Sequence, residues 1–144
     1  MRAFKDPEPA SKEWKNRQRT LVVSSRGIAG RMRHLVMDLC DLVPNTKKES
    51  KVNRKDATSV IDEMCYEKSC NNCLFFEQRK HKDLFMWLSK SPAGPSAKML
   101  VTNINTNDEL KLTGNCLKFS RPLLSFDKDF DSSTHYRLLK EMLL

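Results

Sequence analysis

Three apolar runs follow one another closely in the second half of this chain: CLFF from Cys73, DLFMWLS from Asp83 and AKMLVTNI from Ala97. A half-buried strand alternates apolar and polar residues. Consecutive apolar residues need cover on both faces, as in the inner strands of a sheet packed between helices. The rest of the chain must therefore supply helices with one apolar side each. Between the second and third runs lies SPAGPSAK, Ser91 to Lys98. A phosphate cradle needs several glycines whose N–H groups converge, followed by a helix N-terminus. This loop has one glycine, two prolines and a strand pattern after it. It reads as a rigid hairpin connection over Lys90–Ser96, with Gly94 free to take positive φ.

The helices are visible as periodicity. Ile28, Met32, Leu35, Val36, Leu39, Leu42 and Val43 fall on one arc roughly 120° wide, the face of a helix packed on a sheet, and Pro44 stops it. The β-branched run TLVVSS, Thr20 to Ser25, precedes it as a strand ending in a Ser-Arg-Gly turn. ATSVIDEMCYEK reads as a second helix, with Val60, Ile61, Met64 and Cys65 on one face and Asp56 as its N-cap. STHYRLLKEMLL reads as a third. Tyr136, Leu139, Met142 and Leu143 share a side there, and Ser133 or Thr134 is the expected cap. Asn45–Asp56 has one aliphatic residue, Val52, and reads as a solvated loop. Leu123–Phe126 reads as a short strand after Pro122. Strands alternating with helices make an α/β fold, a sheet covered by helices.

The 144 residues suit one domain. Residues 1–19 read as a basic flexible arm, with Pro7 and Pro9 discouraging regular structure, and residues 20–144 as the folded part. The chain has no run of 18 apolar residues and no apolar core near its N-terminus, so neither a membrane helix nor a secretory signal is expected. The pattern stops on Leu143-Leu144 without a helix stop signal, which points to a piece of a longer protein.

Chemistry is sparse. Cys65, Cys70 and Cys73 have the spacing of a metal knuckle, but a structural zinc site shows two paired half-sites and here one is visible. Packed, reduced thiols are the expectation, as in the cytosol or nucleus, with no metal and no cofactor. His34, His81 and His135 lie far apart with no nucleophile signature around any of them, so no catalytic residue and no small-molecule substrate are assigned. The strong signal is charge. The net charge is +8, and the cations cluster: Lys15, Arg17 and Arg19 in the arm; Arg26, Arg31 and Arg33 at the first strand-to-helix turn; Lys47, Lys48, Lys51, Arg54 and Lys55 in the following loop; Arg79, Lys80 and Lys82 in QRKHK; Lys118 and Arg121 further on. Such clusters suit a polyanion. With no zinc-finger or RNP pattern, backbone and shape recognition is expected rather than base readout.

WKNRQRTLVVSSRGI, then CLFFEQRKHKDLFMWLSKSPAGPSAKMLVTNI, then LTGNCLKFSRPLLSFD together resemble the Brix-domain family, from about Trp14 to Leu144. The GPSAK loop before an apolar strand and GNCLK-SRPLLSFD carry the resemblance most specifically. It implies the N-terminal half of a Brix domain, truncated, with a mixed sheet flanked by helices like that of the anticodon-binding domains of some aminoacyl-tRNA synthetases. It also implies a nuclear, nucleolar, non-catalytic assembly factor that binds precursor ribosomal RNA of the large subunit and other assembly proteins. Phe119 stands where the family commonly has glycine. Two other readings follow from the residues. One is a protein-interaction module using the basic surface and the apolar C-terminal helix. The other is a truncated product without a stable fold.

Overall fold

A computed structural model describes residues 18–111 and 123–144. Among the described residues the sheet has five strands: β1 (Thr20–Ser24), β2 (Thr46–Lys48), β3 (Asn72–Arg79), β4 (Asp83–Lys90) and β5 (Ser96–Val101). Their spatial order is β2-β1-β3-β4-β5. β1 pairs parallel with β2 and β3, and β3-β4 and β4-β5 are antiparallel, so the sheet is mixed. Helix α1 (Gly30–Leu42) links β1 to β2, and α2 (Ala57–Glu67) carries the chain back across β1 to β3. The two crossovers run in opposite directions along the sheet. Crossovers of one hand then put their helices on opposite faces, and the core divides accordingly. Met32, Leu35, Val36 and Leu39 of α1 pack over Val22, Phe76 and Leu84. Ile61 and Cys65 of α2 pack over Leu21, Val23, Cys73 and Phe75. The two-sided apolar runs of β1 and β3 follow from this double cover.

The strands expected near 20–25, 73–81, 83–89 and 97–104 and the helices expected over 28–43 and 57–68 are present, with shifted ends. Ile28 is buried ahead of α1, which starts at Gly30. The hairpin between β4 and β5 closes with Ser89 opposite Ser96. Within its loop Gly94 N–H donates to Lys90 O, and Gly94 takes the expected positive φ, +80°.

Three local expectations are corrected, and two expected N-caps stand in place without a side-chain cap bond. Asn45–Asp56 is not simply a solvated loop. Thr46–Lys48 forms the edge strand β2, and Val52 is buried, bridged to Ser25 at the end of β1. A three-residue polar edge strand carries no hydrophobic period to announce it. Asp56 occupies the N-cap of α2 without a side-chain cap bond. β5 is an edge strand, not a central one. Its burial alternates, with Lys98 and Leu100 on the exposed side. Leu123–Phe126 forms no strand, and Leu123 is fully exposed; Phe126 instead packs edge-on against Phe130, 5.2 Å between centroids. Ser133 is the N-cap of α5 (Thr134–Leu143), but its hydroxyl pairs with the His135 ring rather than a backbone N–H.

Two short helices complete the described chain. α3 (Asn107–Leu110) opens with a capping box between Thr106 and Glu109, and α4 (Asp129–Ser132) precedes α5. α5 buries Met142 and is tied to β4 where Lys90 Nζ donates to Glu141 O, at 3.3 Å. The arm before Gln18, Cys116 and Phe119 lie outside the described residues.

Candidate nucleic-acid interface

β1, β2 and β3 run parallel, so their carboxyl ends meet at one edge of the sheet. The basic runs that follow each strand in sequence therefore come together. Arg26 follows β1, Lys48 ends β2 with Lys51 just after it, and Arg79, Lys80 and Lys82 follow β3 or close it. A cleft of about 620 Å³ opens here, lined by Arg26, Gly27, Arg33, Val36, Lys48 and Lys51 among others.

Backbone and side-chain hydrogen bonds brace the cleft. Arg26 N–H donates to Val52 O and Val52 N–H to Ser24 O, which lays the loop before α2 across the end of β1. Gln78 of β3 accepts from Ala29 N–H through Oε1 at 2.6 Å, and its own N–H reaches Ser25 Oγ at 3.3 Å. Gly27 turns the chain at φ +80°, with open space around its α-carbon, a backbone conformation that costs a Cβ-bearing residue more. The one carboxylate in the lining, Glu49, is matched by Lys68 at 3.1 Å. Among the described residues none of Arg26, Arg33, Lys48 and Lys51 pairs with a carboxylate. Arg33 Nη2 makes one long contact, 3.5 Å, to Ile28 O. Four such cations around one concavity are arranged for an anion.

The remaining predicted residues divide. Lys55, Lys80 and Lys82 are exposed on the same edge. Lys80 and His81 both have positive φ, and Lys82 N–H closes on Arg79 O. Arg79 pairs with Asp83, so the connection is the three residues Lys80–Lys82, built on a turn of type I′ hand at Lys80–His81 without the usual Asn or Gly. Arg31 points elsewhere. Its guanidinium grips Glu109 (Nε–Oε1 2.7 Å, Nη2–Oε2 2.9 Å) and donates to Ile104 O, docking α3 on α1. That bidentate bond raises Arg31 and lowers Glu109 in pKa. Lys47 Nζ donates to Lys68 O at the end of α2. Arg19 precedes β1 and lies at the opposite end of the sheet, its carbonyl accepting from Asn71 and Asn72. Lys15, Arg17, Lys118 and Arg121 lie outside the described residues.

Arg54 and Arg79 belong to a second cluster, one not foreseen from the sequence. Glu77 of β3 is buried on the α2 side and takes Arg79 Nε at 2.8 Å, Arg54 Nε at 3.3 Å, Trp87 Nε1 at 3.3 Å and Lys98 Nζ at 3.8 Å. Burial pushes its carboxyl pKa upward, but the bonds from Arg79 and Trp87 and the charges of Arg79 and Lys98 outweigh it, so the net shift is downward. Arg79 at i+2 from Glu77 was the available signal, since such residues share a strand face. Cys65, Cys70 and Cys73 are buried and unbridged beneath α2. Burial, with the neighbouring Cys65, pushes the Cys73 thiol up to about 12.

Comparison with known proteins agrees with this architecture. A family model described as Brix domain matches residues 25–144. The chain is 58% identical over 139 residues to the ribosome biogenesis protein BRX1 homolog of Homo sapiens, covering 96% of this chain and 39% of that protein. It is 53% identical over 133 residues to ribosome biogenesis protein BRX1 of Saccharomyces cerevisiae, covering 92% and 46%. The chain thus spans less than half the length of these curated relatives. The crystal structure of a probable ribosomal biogenesis protein from Aeropyrum pernix superimposes with a TM-score of 0.54 at 14% identity, over 65% of this chain and 53% of that one, a likeness of fold.

Proposed function

This chain belongs to the Brix-domain family, and from that premise we propose that it is a non-catalytic ribosome assembly factor that binds precursor RNA of the large subunit in the nucleolus. The observation that carries the reading is the cleft at the carboxyl ends of β1 and β2. Arg26, Arg33, Lys48 and Lys51 line it, and no carboxylate among the described residues compensates them. Phosphates of a folded RNA occupy it, and Lys55, Lys80 and Lys82 extend the contact along the same edge. These groups offer charge without a base-reading pattern, so recognition is of backbone and shape. Other assembly proteins are the second class of partner. The observation favouring them is an exposed apolar flank of α5, where Tyr136 and Leu143, two turns apart, are 43% and 47% exposed.

The test is the salt dependence of RNA binding. Affinity for a structured fragment of large-subunit precursor RNA falls linearly with salt on logarithmic axes. Neutralising Arg33, Lys48 and Lys51 together with glutamine lowers the slope by up to about 0.7–0.9 for each phosphate that is no longer neutralised. A flat salt dependence, or a slope unchanged in the triple variant, refutes the cleft as the RNA site. Ultraviolet cross-linking in cells then reads which RNA is held. Reads scattered over all abundant RNA count against the large-subunit assignment.

A further inference from the structure

The Glu77 cluster lies on the opposite side of the sheet from α1, and the cleft does not account for it. Glu77, Phe85 and Leu100 are register partners across β3, β4 and β5, and Phe75, Trp87 and Lys98 form the next row. Both rows face the α2 side, because side chains of paired positions share a face. α2 covers Phe75. Beyond it the face opens: Phe85 and Trp87 are half-buried, and Leu100 is 54% exposed. A second cleft, about 460 Å³, runs along this side past Arg54, Glu77, Arg79 and Trp87.

Cations sit on the aromatic rings. Lys98 Nζ is 4.4 Å from the Phe85 centroid and 4.8 Å from that of Trp87, and the Arg79 guanidinium is 5.4 Å from Phe85. Glu77 orients the set. It receives the Trp87 indole N–H, which fixes that ring, and it holds Arg54 and Arg79 alongside. Lys98 is the loosest member, at 3.8 Å, and is the one free to leave the rings. The other charges lining this cleft are Asp62 and Lys90, Lys90 being occupied by Glu141 O, and the exposed Asp83 faces Arg79 across the register on the same side. The cluster is net positive.

We propose that this face is a stacking platform for unpaired nucleotides of RNA. Two consecutive bases lie on Phe85 and Trp87, and Lys98 moves from the rings to their phosphates beside Arg79 and Arg54. Residues two apart on a strand are roughly 7 Å apart. That is about twice the ~3.4 Å rise of stacked bases, so the platform suits an extended single strand and not a duplex. An acidic peptide would use the cations and leave both ring faces idle. The proposal rests on the reading of the chain as an RNA-binding protein but uses a different surface from the cleft.

The experiment uses Trp14→Phe, which leaves Trp87 as the sole tryptophan of the two. Its fluorescence is followed during titration with a short oligouridylate, an RNA duplex and oligoglutamate. The oligouridylate is expected to quench Trp87. Phe85→Leu and, separately, the exposed-strand variant Lys98→Gln weaken single-strand binding by about tenfold for the lost ring and less for the lost charge, while duplex affinity is unchanged. Melting curves establish that each variant is folded, and Lys98→Gln keeps the test open if Phe85→Leu is not. Single-strand binding unaffected by both variants, with duplex binding intact, overturns the platform and leaves the cleft standing. Quenching by oligoglutamate in preference to oligouridylate overturns it in favour of a protein partner. Absence of binding to either RNA removes the platform together with the RNA reading itself.

Discussion

Replacing Glu77 with glutamine isolates the charge of the buried carboxylate with little change of shape. Four groups converge on it: Arg79 at 2.8 Å, Arg54 and Trp87 at 3.3 Å and Lys98 at 3.8 Å. A hydrogen bond to a charged group contributes about 1.5–3 kcal/mol when shielded. Arg79 and Arg54 are 46% and 60% exposed, so each pair is discounted toward the ~0–1 kcal/mol of surface ion pairs. Trp87 keeps an acceptor in the glutamine oxygen, and the neutral amide is cheaper to bury than a carboxylate. The net expectation is a loss of about 1–2 kcal/mol at pH 7, or roughly 4–8 °C in Tm for a domain of this size.

The pH dependence follows from the lowered pKa of Glu77. The unfolded chain, titrating near about 4.3, takes up this proton before the folded one does. The stabilisation is therefore complete above that value and is lost as pH falls through the folded-state pKa. Thermal melts of both proteins by circular dichroism from pH 7 downward should show Tm values that begin to converge below the unfolded value of about 4.3 and meet below the folded-state pKa. Equal stability at pH 7, or a gap that stays constant into acid, refutes the assignment of Glu77 as a charged, cation-held group.

Other perturbations have separate mechanisms. Phe76 is fully buried on the α1 side of β3, so Phe76→Ala should cost about 3–5 kcal/mol in a urea titration; a loss below about 1 kcal/mol would place it outside the core. Gly27→Ala meets no atom within 4 Å but inherits φ +80°, so its cost is backbone strain alone, about 1–2 kcal/mol, read as a shift in urea midpoint; no loss would mean the turn relaxes freely. Cys73, with its thiol pKa pushed up to about 12, should resist iodoacetamide at pH 8 in the native protein and react once denatured, as read by peptide mass spectrometry. Rapid native alkylation would contradict its burial.

The elements with long apolar patterns were legible in sequence because burial on both faces, or on one helical arc, leaves a period that no other arrangement explains. β2 was not. Thr46–Lys48 is polar, brief and at an edge, and its pairing to β1 is made by backbone groups that carry no side-chain signature. The type I′ turn at Lys80–His81 was hidden for a related reason, since neither residue announces positive φ. Leu100 disguised β5 as an inner strand, although Lys98 and Leu100 share its exposed side.

The clustering of cations was present in the primary structure, but their grouping into sites was not. Arg31 and Arg33 are two residues apart on one helix and serve different ends: Arg31 is bound to Glu109 of α3, and Arg33 lines the cleft. Arg54 and Lys51 part in the same way, one to Glu77 and one to the cleft. The amino-acid sequence alone determined the charge, the double cover of the inner strands and the helix faces, because these depend on composition and local period. Tertiary structure decided which cations are free. Parallel pairing of β1, β2 and β3 brings the ends of distant segments to one edge, and only in three dimensions does each cation meet, or fail to meet, a carboxylate that neutralises it.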